Sequence, residues 1–107
     1  MKVGIDIAEV EKFGLIDRAE YSHWQNVFSP NEWDYIFKDS QAPQHMAGIF
    51  AAKEAVIKAL GTVGKEYFRQ IEIEHDPAGA PKVNIPNSAI SISHTKSMAI
   101  AIAILNT

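Results

Sequence analysis

Met46, Ile49, Phe50, Val56, Ile57 and Leu60 recur three and four residues apart, with Gln41-Ala42-Pro43 breaking the chain before them and Gly61 after. That spacing predicts one long amphipathic helix at the middle of the chain, and its apolar stripe needs a surface to cover it. The flanking segments supply that surface as short extended runs. Lys2 to Val10 is a β-branched run interrupted by Asp6 and Glu9, which suits a first strand. Phe68 to His75 alternates as a strand does, Asp76-Pro77-Ala78-Gly79 has turn chemistry, and Lys82 to Ile85 resumes extended structure, predicting a hairpin. Ala89 to Ser93 and Met98 to Leu105 form a second strand pair, the last strand too apolar to face water on either side.

The segment between the first strand and the long helix is less regular. Glu11 to Trp24 fits a helix loosely, with Gly14 against it. Ser29-Pro30-Asn31-Glu32 is a capping box with proline at the first helical position, followed by Trp33, Ile36 and Phe37 at helical spacing. Trp24, Phe28 and Trp33 read as core. The expected architecture is α+β, a single domain over residues 1–107 with helices packed on an antiparallel sheet.

A chain of 107 residues buries roughly 60–70% of the surface its unfolded form exposes, so association with copies of itself would enlarge a limited core. A net charge of −3 argues against sequence-independent nucleic-acid binding, which depends on clustered cations. Absence of cysteine removes disulfides, thiolate nucleophiles and cysteine-bound zinc. Met98 to Leu105 is far shorter than the ~20 apolar residues of a membrane helix, and Met-Lys-Val-Gly-Ile-Asp is no signal peptide. No membrane partner is expected, and the expected location is cytoplasmic.

Three places can carry chemistry. Asp6 is a carboxylate in an otherwise apolar strand, and burying it unpaired would cost several kcal/mol, so it needs a partner, a metal or a strand-end position. Glu54 and Lys58 stand four apart on the long helix, in the favoured order for a surface ion pair and also on one face. His94 opens the turn between the last two strands, where an imidazole serves either as a turn residue or as a ligand group. Gly61-Thr62-Val63-Gly64-Lys65-Glu66 lacks the spacing and the hydroxyl residue of a phosphate loop and ends a helix instead of starting one.

Taken together, Gly4-Ile5-Asp6-Ile7-Ala8-Glu9-Val10, Phe28-Ser29-Pro30-Asn31-Glu32, Phe50-Ala51-Ala52-Lys53-Glu54-Ala55 with Lys58-Ala59-Leu60-Gly61, the Asp76 to Val83 hairpin, and Ser91-Ile92-Ser93-His94-Thr95 resemble the 4′-phosphopantetheinyl transferase superfamily, in particular its holo-acyl-carrier-protein synthase type. The resemblance implies that family's fold and the transfer of 4′-phosphopantetheine from coenzyme A to a serine of an apo acyl carrier protein, leaving adenosine 3′,5′-bisphosphate. The carrier would serve fatty-acid or secondary-metabolite synthesis. It also implies Mg²⁺ held by Asp6 and Glu54, Glu54 as acceptor of the serine proton directly or through a bound water, and Lys58 stabilising the diphosphate and the departing phosphate. Lys53, Gly61, Ser93, His94 and Thr95 would line the coenzyme A site, the last three from a neighbouring region or subunit. Short members of the family are homotrimers with active sites between protomers. The chain departs from the pattern at Ile49 and Asn26, where arginine is usual. Its first helix region carries Glu9, Glu11, Asp17 and Glu20 against Lys12 and Arg18, which weakens steering of an acidic carrier. A coenzyme A or carrier-protein binding module without turnover is the alternative those departures favour.

Overall fold

The computed structural model describes residues 1–62 and 67–106, so the end of the segment that imitates a phosphate loop, 63–66, lies outside the described residues. In chain order the elements are β1 (Lys2–Glu9), α1 (Tyr21–Trp24), α2 (Pro30–Ile36), α3 (Ala42–Leu60), β2 (Ile73–His75), β3 (Pro81–Val83), β4 (Ser88–His94) and β5 (Met98–Leu105). β1, β5 and β4 form an antiparallel sheet with β5 in the centre, and β2 and β3 make a separate hairpin. This is the α+β arrangement expected, with α3 laid across one face of the sheet.

Alanine and glycine make that close approach possible. On β5 the alternation places Ala99, Ala101, Ala103 and Leu105 inward, all buried, against Ala51, Ala52, Ala55 and Ala59 of α3. Gly4 on β1 comes so near the helix that an added Cβ would lie 1.9 Å from the Ala55 carbonyl oxygen. The larger residues Ile100 and Ile102 therefore point the other way, together with Val3, Ile5 and Ile7 of β1, and each is more than a third exposed in the single chain. The expectation that neither side of β5 faces water is met on one side only, since Ile100 and Ile102 are exposed. Within one protomer only the alanine side is covered.

α2 and α3 begin and end as their sequences dictate. The Ser29 hydroxyl accepts from the Glu32 amide and Glu32 from the Ser29 amide, a closed capping box with Pro30 in the first turn. α3 carries Pro43 in its first turn and stops at Gly61, whose φ of 75° is the left-handed conformation glycine adopts freely.

Two expectations are corrected. Glu11 to Trp24 is not one helix: it forms two short 3-10 turns, Val10–Phe13 and Arg18–Glu20, before the single turn of α1. Asp17 starts a new capping box with Glu20, and between Glu11 and Trp24 only Phe13 is buried, so no continuous apolar stripe holds a longer helix together. Phe68 to His75 is extended only from Ile73, because the carbonyls of Phe68 and Ile71, which a ladder would use, accept instead from the Lys53 ammonium. The Asp76–Gly79 turn forms as its residues require, with the Gly79 amide donating to the Asp76 carbonyl at 2.8 Å and φ of 92° at Gly79.

Candidate active site

β1 carries Asp6 on its helix-facing side, two residues beyond Gly4. Because Gly4 packs on Ala55 and Ala59, Asp6 is held beside the next exposed turn of α3, where Lys58 reaches across. The Lys58 ammonium donates to Asp6 Oδ1 at 2.9 Å and to the Ile5 carbonyl at 3.1 Å. That contact answers the question Asp6 posed in the sequence: it sits in mid-strand, and its partner is a lysine fifty-two residues away. The Asp6 hydrogen bond and charge, with a smaller contribution from Glu54, hold Lys58 above the usual lysine pKa and keep it cationic. Glu54 lies one turn earlier on the same face of α3 and is partly buried. An open cavity of about 330 Å³ lies over this centre, lined by Ile5, Asp6, Ile7, Lys58 and Ile100.

The two carboxylates, Asp6 and Glu54, fit Mg²⁺, which binds through one or two carboxylates and completes its shell with water and substrate phosphate, while the Lys58 ammonium can coordinate no metal and serves as a second cation. Among the described residues no group of three or more acidic or histidine side chains forms a fuller cage.

The residues expected around coenzyme A separate. Lys53 is fully buried: its ammonium donates to Glu32 Oε1 at 2.8 Å, to the Phe68 carbonyl at 2.7 Å and to the Ile71 carbonyl. It cannot line a ligand site while those bonds stand, which corrects that expectation. Glu32 accepts in addition from the Ser29 and Ile73 amides, so one buried ion pair ties α2, α3, β2 and the 68–71 segment together. Burial raises the Glu32 pKa against the pull of Lys53, and burial lowers that of Lys53. The sequence did hold the signal: Lys53 falls in the apolar stripe, four after Ile49 and four before Ile57. Gly61 caps α3 three residues after Lys58, with open space where a side chain would be. Ser93 lies on the outer face of β4, opposite Ile100, and the Thr95 hydroxyl accepts from the Ser97 and Met98 amides to close the turn.

His94 lines a second cavity, of about 180 Å³, that it shares with Tyr35, His45, Ile49, His75 and Ile92 among others. The two cavities have no lining residue in common. The N-terminal half of α3 lies over β4, with Gly48 against Ile92, and its C-terminal half over β1. From His45 to Lys58 the helix climbs about 20 Å.

Residues 2–104 match the family model of the 4′-phosphopantetheinyl transferase superfamily. A holo-[acyl-carrier-protein] synthase of Caldicellulosiruptor saccharolyticus is 43% identical over 95% of this chain and 93% of its own, and that of Caldicellulosiruptor bescii 39% identical over 95% and 94%. Among solved structures, the holo-(acyl-carrier-protein) synthase of Bacillus anthracis in complex with CoA (3′,5′-ADP) superposes with a TM-score of 0.80 at 33% identity, covering 97% of this chain and 94% of that one. The Helicobacter pylori enzyme in complex with coenzyme A gives 0.80 at 32% identity, covering 97% and 99%.

Proposed function

The chain belongs to the 4′-phosphopantetheinyl transferase superfamily and is an enzyme of its holo-acyl-carrier-protein synthase type, and from that premise we propose that Asp6, Glu54 and Lys58 are the centre at which it transfers 4′-phosphopantetheine from coenzyme A to a serine of an apo acyl carrier protein. The observation that carries this assignment is the Asp6–Lys58 contact at 2.9 Å, formed across β1 and α3 one helical turn from Glu54.

The reaction is a displacement at phosphorus. The serine oxygen forms a bond to the phosphorus that bears pantetheine, and the P–O bond to the adenosine phosphate breaks. The electron pair leaves on adenosine 3′,5′-bisphosphate. Glu54 receives the serine proton, and Lys58, held by Asp6 and the Ile5 carbonyl, meets the negative charge that builds on the departing phosphate. Mg²⁺, bound by Asp6 and Glu54, would supply neutralisation of the diphosphate oxygens.

The site is completed by a second protomer. The 3′-phosphate and the 5′-diphosphate of coenzyme A hang from one ribose, whereas the His94 cavity and Lys58 lie at opposite ends of α3 in one chain. A homotrimer in which the outer sheet face is covered by neighbouring copies would bring the His94 cavity of one protomer beside the Asp6 centre of the next. The exposed Val3, Ile5, Ile7, Ile100 and Ile102 support that packing.

The assignment is tested by incubating the protein with coenzyme A, Mg²⁺ and apo acyl carrier proteins and weighing the carriers by mass spectrometry. A gain of one phosphopantetheine is expected, with loss of the gain on chelation of the metal. Carriers of unchanged mass, in a preparation that binds coenzyme A, would refute transfer.

A further inference from the structure

Asp6 stands in the middle of β1, opposite Ala101 of β5, and Lys58 stands in the last turn of α3, where its carbonyl accepts from the Gly61 amide at 3.1 Å. Both ends of the contact between them are therefore anchored in regular structure. The Lys58 ammonium donates to Asp6 Oδ1 at 2.9 Å and to the Ile5 carbonyl at 3.1 Å, so it ties the carboxylate to the peptide group just before it and fixes the rotation of the Asp6 side chain. An ammonium carries three donors, so holding Asp6 and Ile5 still leaves one for a substrate phosphate.

That contact limits what Asp6 can lend a metal. With Oδ1 engaged by Lys58, Oδ2 is the oxygen this carboxylate has to give, and Asp6 becomes a ligand through one atom at a fixed orientation. Ca²⁺ takes about six to eight oxygens in a shell that flexes, and draws on carboxylates that bind through both of theirs. Mg²⁺ demands a near-ideal octahedron, binds through one or two carboxylates and keeps water for much of the rest. Ligand number and flexibility decide between the two ions, and a clamped, one-oxygen Asp6 lowers both. Among the described residues no group of three or more acidic or histidine side chains forms a cage, so what Asp6 loses in oxygens is not made up by other side chains there.

We propose that Lys58 is a positioning residue for the metal: by holding Asp6 to a single available oxygen it selects Mg²⁺ over Ca²⁺, beside the part it takes at the phosphate. The proposal rests on the transferase reading above and concerns which divalent cation that site accepts. Partners that hydrogen-bond a ligating carboxylate orient it and tune the metal it takes, and Lys58 stands in that relation to Asp6.

The test titrates the whole protein with Mn²⁺, reading the free ion by electron paramagnetic resonance, and then displaces the bound Mn²⁺ with Mg²⁺ or with Ca²⁺, without and with coenzyme A. For the wild type, Mg²⁺ is expected to displace at the lower concentration. Lys58→Met removes the donor from Oδ1 at a side chain that is 54% exposed, so the core is untouched. In that variant the ratio of the Ca²⁺ to the Mg²⁺ displacement constant should fall roughly tenfold. Lys58→Arg keeps a cationic donor for Asp6 and should keep the wild-type ratio. Loss of a positive charge by itself would tighten both ions by the same factor, since both are divalent. An unchanged ratio in Lys58→Met, an arginine variant that follows the methionine one, or a wild type that prefers Ca²⁺ would therefore overturn the proposal and leave the transferase reading standing. A wild type that holds no Mn²⁺, with or without coenzyme A, would overturn the proposal together with the metal's part in that reading.

Discussion

Lys53 and Glu54 are neighbours on α3 with different surroundings, one sealed in the core and the other half-buried, one turn from Lys58. The buried Lys53–Glu32 pair costs desolvation on both sides and is offset by hydrogen bonds that satisfy every buried polar side-chain atom among the described residues. Lys53→Met leaves the Glu32 carboxylate buried without its counter-ion, and a loss of roughly 3–5 kcal/mol in urea unfolding is expected, with part recovered in Lys53→Met/Glu32→Gln. His75 gives the pH dependence. Its folded pKa of about 4 lies below the ordinary 6.5, so the unfolded chain takes up a proton first. Stability tied to this ring is complete above pH 6.5 and declines as pH falls towards 4, by roughly 1–2 kcal/mol after solvent screening of a half-buried group. The difference between wild type and His75→Gln in urea unfolding should therefore change over that window and be constant above it. Asp6, Glu54, Lys58 and His94 stood out in the sequence because each is a polar group where local pattern alone offers a weak reason for one. Lys53 was placed with Glu54 because the two are adjacent in the sequence, whereas on the helix they face different ways, and His45 and His75 carry no local signal because only the fold brings them together.

The elements legible in the sequence were those whose ends and periods agree. α2 has its capping box, α3 its stripe and Gly61, and β5 its strict alternation. The period did not reveal which way β5 faces: alanine turns inward because α3 sits too close for isoleucine, and that distance is set by Gly4 on another strand. The 68–71 segment was misread because its carbonyls are claimed by a lysine 15 and 18 residues away in sequence. Gly4→Ala tests the packing of β1 on α3. Its methyl would meet backbone at Ala55 and Ala59, so one element must move away from the other. A loss of about 3 kcal/mol, or a fall in Tm of more than about 10 °C, is expected in thermal unfolding. The same displacement would draw Asp6 from Lys58, so residual folded protein should also transfer slowly.

At the scale of the whole molecule, the proposed homotrimer rests on the exposed outer sheet face and on the distance along α3 between the His94 cavity and Lys58. Ile5 and Ile102 are opposite each other across β1 and β5, 54% and 37% exposed, in the middle of that face. Light scattering should give the mass of a trimer for the wild type, and Ile5→Glu/Ile102→Glu should give a folded monomer, by far-ultraviolet circular dichroism, without transferase activity. A double variant that stays associated would place the interface elsewhere. The central claim is that Asp6, Glu54 and Lys58 perform the transfer, and single-turnover transfer by Glu54→Gln tests it most directly, since the substitution keeps size and removes the proton acceptor. The expected result is a variant with wild-type melting behaviour and bound coenzyme A, from which neither adenosine 3′,5′-bisphosphate nor modified carrier appears. Wild-type rates of both products from that variant would contradict the account.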